Sequence, residues 1–298
     1  MRKKRILLVA IDSKYPNLAL AKIRTFYECK GYEVVENYKK LTQRVEVVYV
    51  SCLFTWNLDK ALTWLKCKSP VYLGGSGVNT FSQLPPEIDK VKPRINWGYT
   101  SRGCVRRCPW CSVHVREGGF RVVGDLLDLW DGKSKLVTLL DNNILADRTH
   151  FQKVAWQSLK YKIKVNFFQG LDYRFIDRIT AKILQTMQHE RLRLSFDEPK
   201  NYDGVDKAIF ELDRVGIRQN TWFVLVGFNT SFNEDLARIN FLRRRGQKVY
   251  LARFDFKRTP RNILLARWTQ SFKYFHKLNF QDFLSLPQNK SARKRASL

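Results

Sequence analysis

Acidic residues are scarce in this chain. Asp and Glu number 27 against 54 Lys and Arg, which leaves a formal net charge of +27. A surface so short of negative charge attracts polyanions, nucleic acid among them. Charge alone does not separate a substrate from a scaffold. Long apolar runs are missing too. The longest, such as Ile6 to Ile11, fall far below the roughly 18 residues of a membrane span. The basic start MRKKR has an apolar follower too short for a signal peptide, and Asp12 soon interrupts it. A soluble, cytoplasmic protein with no membrane partner is expected. Histidine is limited to His114, His150, His189 and His276, so none lies in the first 113 residues. The six cysteines are too sparse and too clustered for a disulfide framework. Cys29, Cys52 and Cys67 stand alone and read as small buried residues.

Apolar residues make up 44% and aromatics 13%, enough to build a core. Residues 1–92 alternate between strand and helix patterns. Arg5 to Ile11, Tyr32 to Val35, Val45 to Cys52 and Val71 to Leu73 read as strands. Leu18 to Lys30 and Leu58 to Cys67 have helical spacing. This alternation predicts a small parallel α/β domain. Gly74, Gly75 and Gly77 after its last strand permit a sharp turn or the close approach of a ligand, and the turn is the simpler reading. Pro85, Pro86 and Pro93 place a boundary near residue 92.

Past that boundary, strands are predicted over Ile95 to Tyr99, Leu136 to Leu140, Lys164 to Phe168, Leu192 to Phe196, Trp222 to Val226 and Val249 to Phe254. Helical patterns at about 125–131, 150–161, 175–188, 204–215 and 233–245 separate them. A full eight-fold barrel needs roughly 250 residues, more than remain, so a partial barrel of six strands over residues 93–262 is expected. Residues 263–298 follow as a helix over Ile263 to Phe280 and a basic, disordered tail, NKSARKRASL. Polar residues gather just after successive strands: Cys104 onward, Asp141-Asn142-Asn143, Gln169 to Asp172, Asp197-Glu198 and Gly227. In such folds chemistry sits at the C-terminal ends of the strands.

Half of the cysteines fall in one stretch, TSRGCVRRCPWCSVH from Thr100 to His114. Close-set thiolates bind zinc or iron–sulfur clusters. Cys104, Cys108, Cys111 and His114 can complete a zinc tetrahedron. Alternatively, the three cysteines hold three irons of a [4Fe–4S] cube and leave the fourth open. Structural zinc sites usually add a second, distant cysteine pair, and none exists here. The flanking Arg102, Arg106 and Arg107 are expected to favour the thiolate form.

The order Cys104-Val-Arg-Arg-Cys108-Pro-Trp110-Cys111 resembles the signature of the radical S-adenosylmethionine (SAM) enzymes, C-x3-C-x-aromatic-C. LLDNNILA (139–146), FFQGLDYR (167–174), LSFDEP (194–199) and FVLVGFNT (223–230) look like successive motifs of one branch seen in bacteria and phages. The resemblance spans about residues 95–270. It implies an α/β fold with a partial (β/α)6 TIM barrel, preceded by a small Rossmann- or flavodoxin-like parallel α/β domain. It implies a [4Fe–4S] cluster on Cys104, Cys108 and Cys111, with SAM chelated at the open iron. Reductive cleavage of SAM then yields a 5′-deoxyadenosyl radical that abstracts hydrogen from a substrate. A flavodoxin- or ferredoxin-type donor supplies the electron.

By the same resemblance, Trp110 meets adenine, and Asp141, Asn142 and Asn143 lie where the SAM amino group is bound. The chain has DNN there instead of the common Gly-Gly-Glu. Gln169, Asp172 and Arg174 are substrate or SAM candidates. Asp197 or Glu198 suits the ribose hydroxyls, Gly227 admits adenine closely, and Arg253 faces a carboxylate. The N-terminal domain looks like the cobalamin-binding domains that precede many such enzymes. It is short and has no histidine to offer cobalt, so cobalamin is not expected. The substrate stays open between nucleic acid or nucleotide and a peptide or small metabolite. A zinc-stabilised nucleic-acid-binding module without catalysis is the alternative of a different class. The basic stripe from Leu242 to Arg261, with Asp255 its one acid, can follow phosphates or be a solvated face.

Overall fold

The computed structural model describes residues 3–12, 16–36, 44–79, 83–254 and 259–296. The chain divides into two units: Met1–Gly98 with Leu127–Ser134, and Tyr99–Leu126 with Lys135–Leu298. The division falls a few residues past the boundary expected near 92, and the C-terminal segment belongs to the second unit. No helix among the described residues is long and apolar enough to cross a membrane.

In the first unit, β1 (Arg5–Ala10), β2 (Glu33–Glu36), β3 (Val47–Ser51) and β4 (Val71–Gly74) form a parallel sheet in the order β2-β1-β3-β4. The continuous apolar run of β1 is explained by burial of both faces. Ile6 and Leu8 pack with Leu20 and Ile23 of helix Leu18–Cys29, while Leu7 and Val9 pack with Val48, Val50 and Ala61. Asn17 caps that helix by accepting from Leu20 N. Gly75 and Gly77 are steric necessities: a Cβ would stand 2.3 Å from Cys52 O at the first and 2.6 Å from Phe54 C at the second. Cys52 is buried, but Cys29 is exposed on its helix, against expectation. The helix predicted over 58–67 is a short α-turn, Leu58–Leu62, that tightens into a 3-10 turn, Thr63–Lys66. A two-residue strand, β5 (Trp97–Gly98), stands where a longer one was expected, because Asn96 takes a left-handed φ of 59°.

The second unit opens on an antiparallel pair that the hydrophobic pattern did not announce, β6 (Ser101–Arg102) with β7 (Arg121–Val122). Next come β8 (Leu136–Leu139) and β9 (Lys164–Phe167), paired in parallel. Then β10 (Arg193–Ser195), β11 (Thr221–Val226) and β12 (Lys248–Arg253) form a parallel sheet in that order. Parallel bridges at Val165–His189 and Leu171–Leu194 join the two groups. Helices Arg148–Tyr161, Arg178–Thr186, Tyr202–Arg214 and Phe232–Arg244 make the crossovers, each begun by a side-chain cap from Asp147, Asp177, Asn201 or Ser231.

The helix expected from Ile263 to Phe280 is broken in two, Pro260–Thr269 and Phe280–Leu284, because Asn279 caps a new start by accepting from Asp282 N. The tail expected to be disordered forms helix Lys290–Ala296. Ala296 is buried there, and its carbonyl accepts from Arg261 Nε at 3.0 Å.

One buried cation ties the strand ends together. Arg238 is fully buried and donates to Phe196 O at 2.7 Å, Asp197 O at 3.1 Å, Leu225 O at 2.6 Å and Asp235 Oδ1 at 2.5 Å. The guanidinium thus bridges the ends of β10 and β11 while Asp235 balances its charge. Arg238→Ala takes the balancing charge from a buried carboxylate and the shared donor from three carbonyls. It should cost about 3–5 kcal/mol in a urea melt, and Arg238→Lys should recover only part of that loss.

Candidate functional site

The cysteine loop is fastened from below by the end of β8. Asp141 is buried and accepts four hydrogen bonds: from Thr100 N at 3.1 Å, Thr100 Oγ1 at 2.7 Å, Ser101 N at 2.5 Å and Ser101 Oγ at 2.6 Å. Burial pushes its carboxyl pKa up, and these donors oppose the shift. Since the Thr100 hydroxyl gives its proton to Asp141, its oxygen accepts from His150 Nε2–H at 2.9 Å. Burial pushes His150 down, towards the neutral ring. Asn142 Oδ1 accepts from Gly103 N at 3.0 Å. Gly103 has a φ of +78°, and a Cβ there would stand 2.1 Å from Gly119 O, so only glycine fits. Arg102 grips Glu117 with Nε at 2.6 Å and Nη2 at 2.9 Å, which ties the start of the loop to its return.

Sequence reasoning had placed Asp141 and Asn142 on the SAM amino group. In this structure both oxygens of Asp141 and Oδ1 of Asn142 hold the loop. Asn143 is the member of the trio that reaches the thiols. Its Nδ2 donates to Cys104 Sγ at 3.4 Å and to Asp172 Oδ2 at 3.1 Å. Its Oδ1 is buried and has no partner among the described residues. The opposite amide orientation would set oxygen against the Asp172 carboxylate, so the charge pattern fixes this one.

Cys104, Cys108 and Cys111 are all partly buried on this loop. Arg106 N donates to Cys104 Sγ at 3.3 Å, and Cys111 N donates to Cys108 O at 3.0 Å. Burial pushes the Cys108 thiol up; Arg174 pulls it down, while Cys111, Cys104 and Glu198 push it further up. Arg102 is paired with Glu117, Arg107 is exposed, and the cation that bears on Cys108 is Arg174 from beyond β9.

Asp172 is the hub of that second contact. It accepts from Arg106 Nε at 3.3 Å, Arg174 Nε at 2.6 Å and Asn143 Nδ2 at 3.1 Å. Arg174 also pairs with Glu198, and Asn201 Nδ2 donates to Tyr173 OH at 2.7 Å. Loss of hydration raises Tyr173 to about 12. Gln169 is exposed in the turn before Gly170 and stands apart from this network. Asp197 accepts from Leu225 N at 3.0 Å. Trp110 meets Phe228 edge-to-face at 5.6 Å, and Phe228 meets Phe254 at 4.7 Å. Gly227 takes a φ of +81°, has open space where a Cβ would lie, and gives its N–H to Asp235. Arg253 is in register with Val226 and shares the strand face of Val249 and Leu251, both buried. Thr100, Ser101, His150 and Arg106 were missed as site residues. The signal available for the first two was a polar pair at the end of a strand, just before the cysteines.

The donor set suits an iron–sulfur cluster: soft thiolates on one loop, with an unpartnered amide oxygen beside them. Among the described residues no three His, Cys, Asp or Glu side chains converge on a single-ion position. The basic stripe from Leu242 to Arg261 does not form one free face. Arg245 pairs with Asp206 and Arg261 with Ala296 O, while Asp255, Lys257 and Arg258 lie outside the described residues.

No protein-family model and no curated protein matches the chain. A solved structure of a spore photoproduct lyase double mutant, with bound AdoMet and dinucleoside spore photoproduct, is similar at 12% identity and a TM-score of 0.31. That alignment covers 99% of this chain and 83% of the other.

Asp197 gives the site a pH signature. Burial raises its pKa to about 6, outweighing Leu225 N, Arg238 and Arg174, which lower it. A carboxyl raised on folding binds more protons in the folded state between about pH 4 and 6. Its contribution to stability therefore falls as pH rises through that window, and the cost is complete above it. Asp197→Asn should remove about 1–2 kcal/mol of this loss, allowing for residual contact with solvent. Thermal melts at pH 5 and pH 8 measure it, the mutant gaining at pH 8 only.

Proposed function

We propose that this chain is a radical SAM enzyme. In this reading the five parallel strands of the second unit, β8 to β12, belong to a partial (β/α)6 barrel, and Cys104, Cys108 and Cys111 hold a [4Fe–4S] cluster at its C-terminal mouth. The observation that carries the reading is the loop. Three part-buried thiols in C-x3-C-x-aromatic-C order are fastened by Asp141 and Asn142, and the Asn143 oxygen beside them lacks a donor.

When bound, the cluster supplies the electron that splits the sulfonium of SAM, giving methionine and a carbon radical able to take hydrogen from a substrate. The chain's own residues hold and orient. Asn143 Oδ1 accepts from the SAM ammonium, for which a buried unpartnered acceptor is suited. Arg174 favours the Cys108 thiolate against the burial that opposes it. Trp110 and Phe228 form an aromatic wall for adenine, and the open space at Gly227 admits the ring. Asp197 and Glu198 suit the ribose hydroxyls, and Arg253 suits a carboxylate. Asp172 keeps Asn143, Arg106 and Arg174 in place as a positioning residue. The electron comes from a flavodoxin- or ferredoxin-type donor. The charge of +27 supports a nucleic acid or nucleotide as substrate over a peptide or small metabolite. The first unit is expected to bind no cobalamin through a histidine, since its residues include none; binding without that ligand, at the Gly74–Gly77 loop, is the alternative.

Anaerobically purified protein should be brown, with iron and sulfide near ~4 per chain, and with dithionite and SAM it should release 5′-deoxyadenosine. Alanine at any of the three cysteines should abolish that product. Colourless, zinc-loaded protein would overturn the proposal. Asn143→Ala should weaken SAM binding roughly tenfold or more, as read by equilibrium dialysis.

A further inference from the structure

The end of the strand array opposite the cysteine loop is a cationic face with an aromatic platform. Each parallel strand of the second unit starts with or just after a cation: Lys135 before β8, Lys164 on β9, Arg191 before β10, Arg218 before β11 and Lys248 on β12. The starts are joined laterally by backbone hydrogen bonds. Lys164 N donates to Lys135 O at 2.7 Å, Glu190 N to Val165 O at 2.9 Å, Thr221 N to Leu192 O at 3.0 Å and Lys248 N to Asn220 O at 3.0 Å. Backbone pairing sets the strand starts side by side, about 4.8 Å per step, so these cations share one end of the array. Lys135, Arg191 and Arg218 are exposed. Two acids stand near them: Glu190, paired with Lys164 at 2.7 Å, and Asp213, which feels the charge of Arg218. Like charges press on one another here: Arg191 adds to the burial that lowers Lys248, and Arg243 and Lys248 add to the burial that lowers His276.

Beside this row stands Phe272, which is 90% exposed, with Lys248 Nζ 5.1 Å from its ring centroid. The ring has no packing role at that exposure. Cations in a row with a solvent-facing aromatic are the elements that bind single strands, where phosphates meet the charges and a base stacks on the ring. We infer that the strand-start face of the second unit binds single-stranded nucleic acid, with its phosphates on Lys135, Lys164, Arg191, Arg218 and Lys248 and a base on Phe272. This surface lies at the other end of the strands from the cysteines, so it anchors the polymer and does not perform chemistry. It does not depend on the radical chemistry proposed above.

The test is fluorescence anisotropy with a labelled single-stranded oligonucleotide of mixed sequence, using the full chain over a range of salt. Lys135→Glu/Arg191→Glu/Arg218→Glu should weaken binding at least tenfold. It should also reduce the slope of log K against log salt by about 2, since each lost phosphate contact removes roughly 0.7. Phe272→Ala should weaken binding roughly tenfold with an unchanged melting temperature. Lys66→Glu/Lys68→Glu/Lys90→Glu, an equal charge change on the first unit, should bind within twofold of the wild type. The triple Cys→Ala variant should also bind as the wild type does, which separates this surface from the proposed cluster. Equal weakening by the two charge variants would overturn the inference, as would indifference to Phe272→Ala. So would tighter binding to phosphatidylserine vesicles than to the oligonucleotide at the same salt.

Discussion

The site depends on one buried carboxylate. Asp141 follows β8 and gathers both the backbone and the hydroxyls of Thr100 and Ser101, which fixes where the next residues can go. Gly103 then turns the chain with a left-handed φ, Asn142 holds its N–H, and Cys104 follows within hydrogen-bond reach of Asn143. A loop that must present several thiols together cannot be left to its own entropy, because ordering each residue costs about 1–2 kcal/mol. Hydrogen bonds to a buried carboxylate are among the stronger ones available for that purpose. Without a partner, the same carboxylate would be a severe liability.

A second layer of charge surrounds the first. Asp172 draws Arg106 from the cysteine loop and Arg174 from the turn after β9 to the same carboxylate, and Arg174 continues to Glu198 after β10. Arg238 performs a similar service from within, holding the carbonyls of Phe196, Asp197 and Leu225. The ends of successive strands are thus cross-linked by side chains whose charges are balanced nearby. These ion pairs and hydrogen bonds hold the strand ends to one another.

Much of this was legible in the sequence. The apolar runs of β1 and β3 announced their strands, and helical spacing announced the crossover helices, though not the residues that cap them. The C-x3-C-x-aromatic-C order marked the loop. The roles within DNN were not legible. Asp, Asn and Asn differ little as hydrogen-bonding residues, and only the fold decides which faces Thr100, which faces Gly103 and which reaches a thiol. The pair β6–β7 escaped because two-residue strands carry no periodicity. Arg174 was not legible as a neighbour of the cysteines, because it lies far off in sequence and only the fold brings its charge to Cys108. The break between Thr269 and Phe280 was hidden because Asn279 reads as an ordinary polar residue inside an apolar pattern until its capping bond is seen.

The central claim is that the fastened loop holds an iron–sulfur cube with one iron open to a SAM molecule. Electron paramagnetic resonance of the anaerobic, dithionite-reduced protein, recorded with and without SAM, tests it most directly. The account predicts a reduced-cluster signal whose g values shift when SAM is added, and a marked loss of that signal in Asp141→Ala, whose loop is no longer held. A protein with no such signal, or with one that ignores SAM, would contradict it.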